Sequence, residues 1–145
     1  MSETKRPVRA ILLGDDLGLT KRWSAIALGL FTLVLAIYVA GYYQSVYSLL
    51  PGQAIIVGGG TVLVLLAAWQ TYQNRSFVLS LLVCIAPVSA LFIRIVGAGQ
   101  TSTPTVGDTL LLGVGWGLVF GVPLGVLGFL LGYAARTVTK PDAAA

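Results

Sequence analysis

Arg94, Asp108 and Cys84 are the residues in or beside long apolar stretches whose side chains could do chemistry. An arginine inside such a stretch can hold an anion or pair with a carboxylate, and Asp108, at the start of the next stretch, is the carboxylate placed to meet it. Arg94 also lies near the end of its own stretch, where its side chain can snorkel to a polar surface as an anchor, and that is the reading preferred here. Cys84 is the only cysteine and sits in the middle of its stretch, where a thiol ordinarily behaves as a small hydrophobe. Histidine is absent. The chain therefore has no route to an intrachain disulfide, a Cys/His zinc site, a bis-histidine haem or a His-dependent nucleophile relay. The apolar stretches hold no Asp, Glu or Lys, which removes the usual intramembrane proton and cation carriers. No catalytic, cofactor-binding or metal-binding residue is predicted, and the chain is read as non-enzymatic.

The elements that must position these residues are membrane-spanning helices. Of 145 residues, 57% are hydrophobic and 10% charged, whereas a soluble domain has about 25% charged. The mean hydropathy is +0.90. The reading is an all-α integral membrane protein, a four-helix transmembrane bundle with spans over about 24–43, 54–72, 77–96 and 109–133. Residues 1–23 form a tail whose apolar part, 8–13, either makes interfacial turns ended by Gly14 or clasps the bundle as a surface loop, with Thr20 a candidate cap for the first span. Residues 137–145 read as a disordered tail. Trp23, Trp69, Tyr42, Tyr43, Tyr47, Tyr72 and Tyr133 fall at span ends, as interfacial aromatic residues do. Trp116 lies deeper, and its indole N–H calls for a partner.

The net charge of +4 does not point to nucleic acid, because the basic residues form no patch with interleaved aromatics. They flank the spans instead. Lys21 and Arg22 precede the first, Arg75 separates the second from the third, and Arg136 and Lys140 follow the fourth; the other two loops contain no Lys or Arg. That asymmetry predicts both termini on the cytoplasmic side of a cell membrane. Four spans in a short chain are similar in outline to the small multidrug-resistance transporters, but the essential glutamate of their first span has no counterpart between Ser24 and Tyr43.

Glycine gives the most information about how the spans touch. Gly113, Gly117, Gly121 and Gly125 recur every four residues, and with Gly128 and Gly132 they occupy about a third of a helix circumference. Small residues let two backbones approach closely in lipid, so this stripe is a packing surface. The glycine triplet Gly58, Gly59 and Gly60 makes the second span its expected partner, with a contact between chains as the alternative. Pro87 and Pro123 should kink the third and fourth spans by freeing the carbonyls of Val83 and Val119. The predicted role is a structural or accessory subunit that contacts the lipid bilayer and binds a membrane-protein partner or itself through glycine-rich faces. The alternative is a small homo-oligomeric channel or transporter for an anion or neutral solute.

Overall fold

The computed structural model describes residues 12, 14, 16–40, 51–99 and 105–139, with backbone alone over 94–99. These residues form four helices and no strand: α1 (Leu17–Val39), α2 (Gly52–Asn74), α3 (Phe77–Gly99) and α4 (Val106–Thr139). By length and composition α1, α2 and α4 are long and apolar enough to cross a membrane, and the stretch Phe77–Ile93 of α3 is apolar but shorter. The expectations for residues 8–11, for Tyr42, Tyr43 and Tyr47, and for residues 140–145 lie outside the described residues.

The helix ends differ from the predicted ones for local reasons. Asp16, not Thr20, caps α1: its Oδ1 accepts from the amides of Gly18 at 2.7 Å and Leu19 at 3.4 Å. A short carboxylate reaches these free amides and meets the positive end of the helix dipole. Thr20 lies inside the helix, where its hydroxyl donates to the carbonyl of Asp16 at 2.9 Å. At α4 the start is Thr105 rather than Asp108. The Thr105 hydroxyl accepts from the Asp108 amide at 3.2 Å and donates to the Asp108 carboxylate at 2.5 Å, a reciprocal arrangement that satisfies a free amide of the first turn. The loop predicted over 97–107 is shorter at both ends, and α4 runs past Arg136, so residues 137–139 are helical rather than tail.

The third helix is the hub. It touches all three others, most extensively α4, then α1, and α2 least; α2 rests chiefly on α4, and α1 and α2 meet narrowly. The fourth helix does rest on the second, as expected, but it packs more extensively on the third. A methyl group built at Gly113, Gly117, Gly121 or Gly125 would collide in turn with Ile93, Ser89, Ile85 and Leu81 of α3. Each step of four along α4 thus meets a step of four back along α3, the register of an antiparallel pair. Only Gly128 and Gly132 face α2, against Ala67, Ala68 and Thr71. The switch of partner falls where the glycine spacing changes from four to three.

The triplet in α2 is not part of that seam. Gly58 and Gly59 have no heavy atom within 4 Å of an added Cβ, and Gly60 meets only Leu124 at 4.0 Å. The physical reason is position: α2 meets α4 in its later half, around Val64 to Thr71, whereas Ile56, Val57 and Val62 around the triplet are exposed. Pro87 is buried and Pro123 exposed, each inside a helix that continues through it. Trp23, expected at a span end, is buried against neighbouring helices. It is 6% exposed and packs with Ala27, Leu79 and Val83 where α1 meets α3. Trp116 stacks at 6.0 Å on Phe92 and 5.9 Å on Phe120, an aromatic ladder along the exposed side of α3 and α4.

Candidate functional site

Arg94 and Asp108, the pair singled out by the sequence, are not brought together in what is described. The Arg94 side chain lies outside the described residues, and Asp108 is exposed and engaged with Thr105. The structure gathers polar side chains at the opposite end of the bundle, around the last turn of α2. Gln70, Thr71, Asn74 and Ser76 there have no solvent exposure. Buried polar groups of this kind have to be paired, and most of these are.

Helix α2 stops because Arg75 adopts a left-handed conformation, φ 51°, with its amide donating to the Thr71 carbonyl at 2.9 Å. That abrupt end lets α3 begin two residues later with Ser76 as its cap, the Ser76 hydroxyl accepting from the Leu79 amide at 3.3 Å. The same hydroxyl donates to the carbonyl of Leu12 at 2.8 Å. Asn74 binds the chain entering α1 from both sides of its carboxamide: Oδ1 accepts from the Asp16 amide at 2.8 Å, and Nδ2 donates to the Thr20 hydroxyl at 2.9 Å. Gly14, at φ +91°, passes so close that a Cβ would stand 2.5 Å from Asn74 Nδ2. An L residue would be strained there whatever the space.

Two further ties converge on this end. The Trp23 indole donates to Gln73 Oε1 at 3.2 Å, joining α1 to α2. Arg136 of α4 donates through Nη1 to the carbonyls of Tyr72 at 3.2 Å and Gln73 at 3.3 Å. These are C-terminal carbonyls of α2 without a helical amide to accept from, at the negative end of its dipole, so a guanidinium is the complementary group. Thr139 reaches Tyr72 Oη at 3.2 Å. Within Gln70, Oε1 accepts from Thr71 at 3.3 Å, while Nε2 is buried without a hydrogen-bond partner.

Among the described residues the hydrogen bonds of this cluster tie elements together: α1 to α2, α4 to the end of α2, and the residues before α1 to the α2–α3 turn. Higher in the bundle, Ser80 donates to the Gly125 carbonyl at 2.7 Å and Cys84 Sγ lies 3.6 Å from the Leu63 carbonyl. Both link helices, Ser80 joining α3 to α4 and Cys84 joining α3 to α2. Among the described residues no three His, Cys, Asp or Glu side chains come together to hold a metal ion.

The cluster had a sequence signal that the span-by-span reading missed. Ala67, Gln70, Thr71 and Asn74 follow the i, i+3, i+4, i+7 spacing of one helix face. Read that way, the run QTYQN continues a packing face past the expected span end at residue 72. The six glycines of the α4 stripe are all buried, but their spacing did not name the helix that receives them. Comparison with protein-family models, curated proteins and solved structures finds no match to this chain.

Proposed function

We propose that the chain is a four-span membrane protein, with both termini cytoplasmic, that serves as a structural or accessory subunit rather than an enzyme. The observation that carries this reading is the unequal use of its glycines. All six on the α4 stripe are consumed inside the chain, whereas Gly58 and Gly59 are open and adjacent on an exposed apolar face of α2. Small residues facing lipid weaken a helix and gain nothing until another backbone approaches, so an open pair of glycines suits a helix of a second protein or a second copy. The orientation is supported by the convergence of the α1 start, the α2–α3 turn and the α4 end, which places Lys21, Arg22, Arg75 and Arg136 at one end of the bundle.

The test is native mass spectrometry of the chain extracted from its own membrane in mild detergent, with and without Gly58→Leu and Gly59→Leu. The expected result is a stoichiometric companion, or a defined homo-oligomer, that the double variant loses while its monomer stays folded. A bare monomer from native membrane, or a companion that survives the double substitution, overturns the reading. Solute flux in liposomes that falls on Arg94→Ala would replace it with the channel.

A further inference from the structure

Helix α2 is held along only one half of its length. All four of its buried residues, Ala67, Gln70, Thr71 and Asn74, lie in the second half, and none of Gly52 to Val57 is buried. Three neighbours fix the second half. Gly128 and Gly132 of α4 close on Ala67, Ala68 and Thr71, Leu66 packs against the core where α1 meets α3, and Asn74 Nδ2 donates to the Thr20 hydroxyl of α1 at 2.9 Å. The first half opens at Pro51 without a side-chain cap and ends in Ile56 and Val57, which are 69% and 68% exposed. Gly58, Gly59 and Gly60 form the boundary between the two halves.

We infer that Gly58 to Gly60 is a pivot about which the first half of α2 swings as a rigid arm while the second half stays clamped. Three observations meet there. Consecutive helical residues point about 100° apart, so three glycines in a row leave most of one turn without side chains, and no Cβ at that level opposes a bend. Thr61 donates to the Val57 carbonyl at 2.7 Å, a back-bond that spans the three glycines and is of the kind that bends helices. The surroundings leave room, since nothing lies within 4 Å of a Cβ added at Gly58 or Gly59, and at Gly60 only Leu124 does, at 4.0 Å. Melting the arm would leave amides and carbonyls unpaired in lipid, so it moves by bending with its hydrogen bonds kept. The arm, Gly52 to Val57, is about 9 Å long, and a bend of about 20° carries its tip about 3 Å. The swing is a property of the single chain and goes beyond the proposed association. A helix docked across Gly58 and Gly59 would grip both sides of the pivot and arrest it.

Pulsed electron resonance distances test it on the full chain carrying Cys84→Ser, in lipid nanodiscs holding one copy each. One nitroxide label is placed at Leu28→Cys, exposed on α1 next to the buried Ala27. The second is placed either at Gln53→Cys in the arm or at Leu65→Cys in the clamped half, both exposed positions. The distance distribution from Leu28 to Gln53 is expected to be broader than that from Leu28 to Leu65 by about 3 Å, the travel of the tip. Alanine at Gly58, Gly59 and Gly60 together is expected to narrow the first distribution to the width of the second and leave the second unchanged. No methyl added there meets an atom closer than 4.0 Å, so this variant keeps the fold. The pivot is refuted if the Gln53 distribution is no broader than the Leu65 one, or if the three alanines leave it broad. Because each disc holds a monomer, either result is independent of whether the chain has a partner.

Discussion

Gly121→Ala and Gly58→Ala are the same chemical change in two apolar helices, and the structure predicts opposite signs for them. A methyl at Gly121 would stand 2.7 Å from Ile85 Cα, 2.9 Å from Ile85 Cγ1 and 3.0 Å from Ile85 N. Carbon atoms rest at about 3.5–4.0 Å, so α3 and α4 must part locally by about 1 Å, since two of the obstructing atoms are backbone and cannot turn aside. Overpacking of this kind costs about 1–3 kcal/mol. Against it stands the helix propensity gained by replacing glycine with alanine, up to about 1 kcal/mol. The net for Gly121→Ala is a loss of up to about 2 kcal/mol. At Gly58 nothing lies within 4 Å, so only the propensity gain remains. The assay is reversible unfolding in detergent micelles with rising SDS, followed by helix content, with both variants measured as monomers beside the unaltered chain. Equal stabilisation by the two substitutions would refute the close α3–α4 contact, and equal destabilisation would show that Gly58 is covered within the monomer.

Further measurements bear on the ties at the α2–α3 end. Trp23→Phe removes the donor to Gln73 and should cost about 1 kcal/mol; in a double-mutant cycle with Gln73→Ala the two losses should fail to add, and additive losses would show that the pair is not coupled. Arg136→Ala uncovers the Tyr72 and Gln73 carbonyls of a half-exposed site and should cost about 1–2 kcal/mol in the same unfolding assay. Arg136→Lys should recover part of that loss, and failure to recover any would argue that the planar fork rather than the charge is needed. Ser80→Ala should lower stability by about 0.6 kcal/mol, the mean for interhelical hydrogen bonds in membranes, and no change would mean that Gly125 is satisfied without it. In a Cys84→Ser background, Gln73→Cys should react with an impermeant thiol reagent only from the cytoplasmic side and Thr105→Cys only from the outside; labelling of both from one side would reject the four-span topology.

Helix number was legible from the lengths of the apolar stretches and the α4 stripe from its four-residue repeat, and both need only the order of residues along one chain. The partner of that stripe was not. A triplet such as Gly58 to Gly60 advertises close approach without saying from which direction, and the residues that receive the α4 glycines, Ile93, Ser89, Ile85 and Leu81, are ordinary apolar or small residues with no signature of their own. The burial of Trp23 was not legible for a related reason: an aromatic residue beside Lys21 and Arg22 reads as interfacial, and its packing on Leu79 and Val83 and its acceptor on Gln73 are long-range contacts. The polar cluster escaped because its partners are 54 to 64 residues apart in sequence. Asn74 and Ser76 next to Arg75 look like a turn, and they are one, but their side chains are committed to a segment that precedes the first helix.

The two kinds of contact are divided between two places for a physical reason. In the middle of a bilayer lipid tails are as apolar as leucine, so burying hydrophobic surface gains nothing and close backbone packing must hold α3 to α4. Glycine serves there because nothing competes with the contact. At the ends water competes for every hydrogen bond, and a tie survives only where neighbouring groups exclude solvent; Asn74, Thr71 and Ser76 meet that condition by having no exposure. The hydrogen-bonded end therefore fixes which termini lie together, while the glycine seam fixes how near α4 stands to α3. Neither constrains the first half of α2, which has no polar tie to another helix among the described contacts and whose Gly58 and Gly59 meet nothing. If the chain has a partner, that half-helix is the part of the bundle still lacking what the rest already has, a surface that comes close enough to make glycine worth its cost.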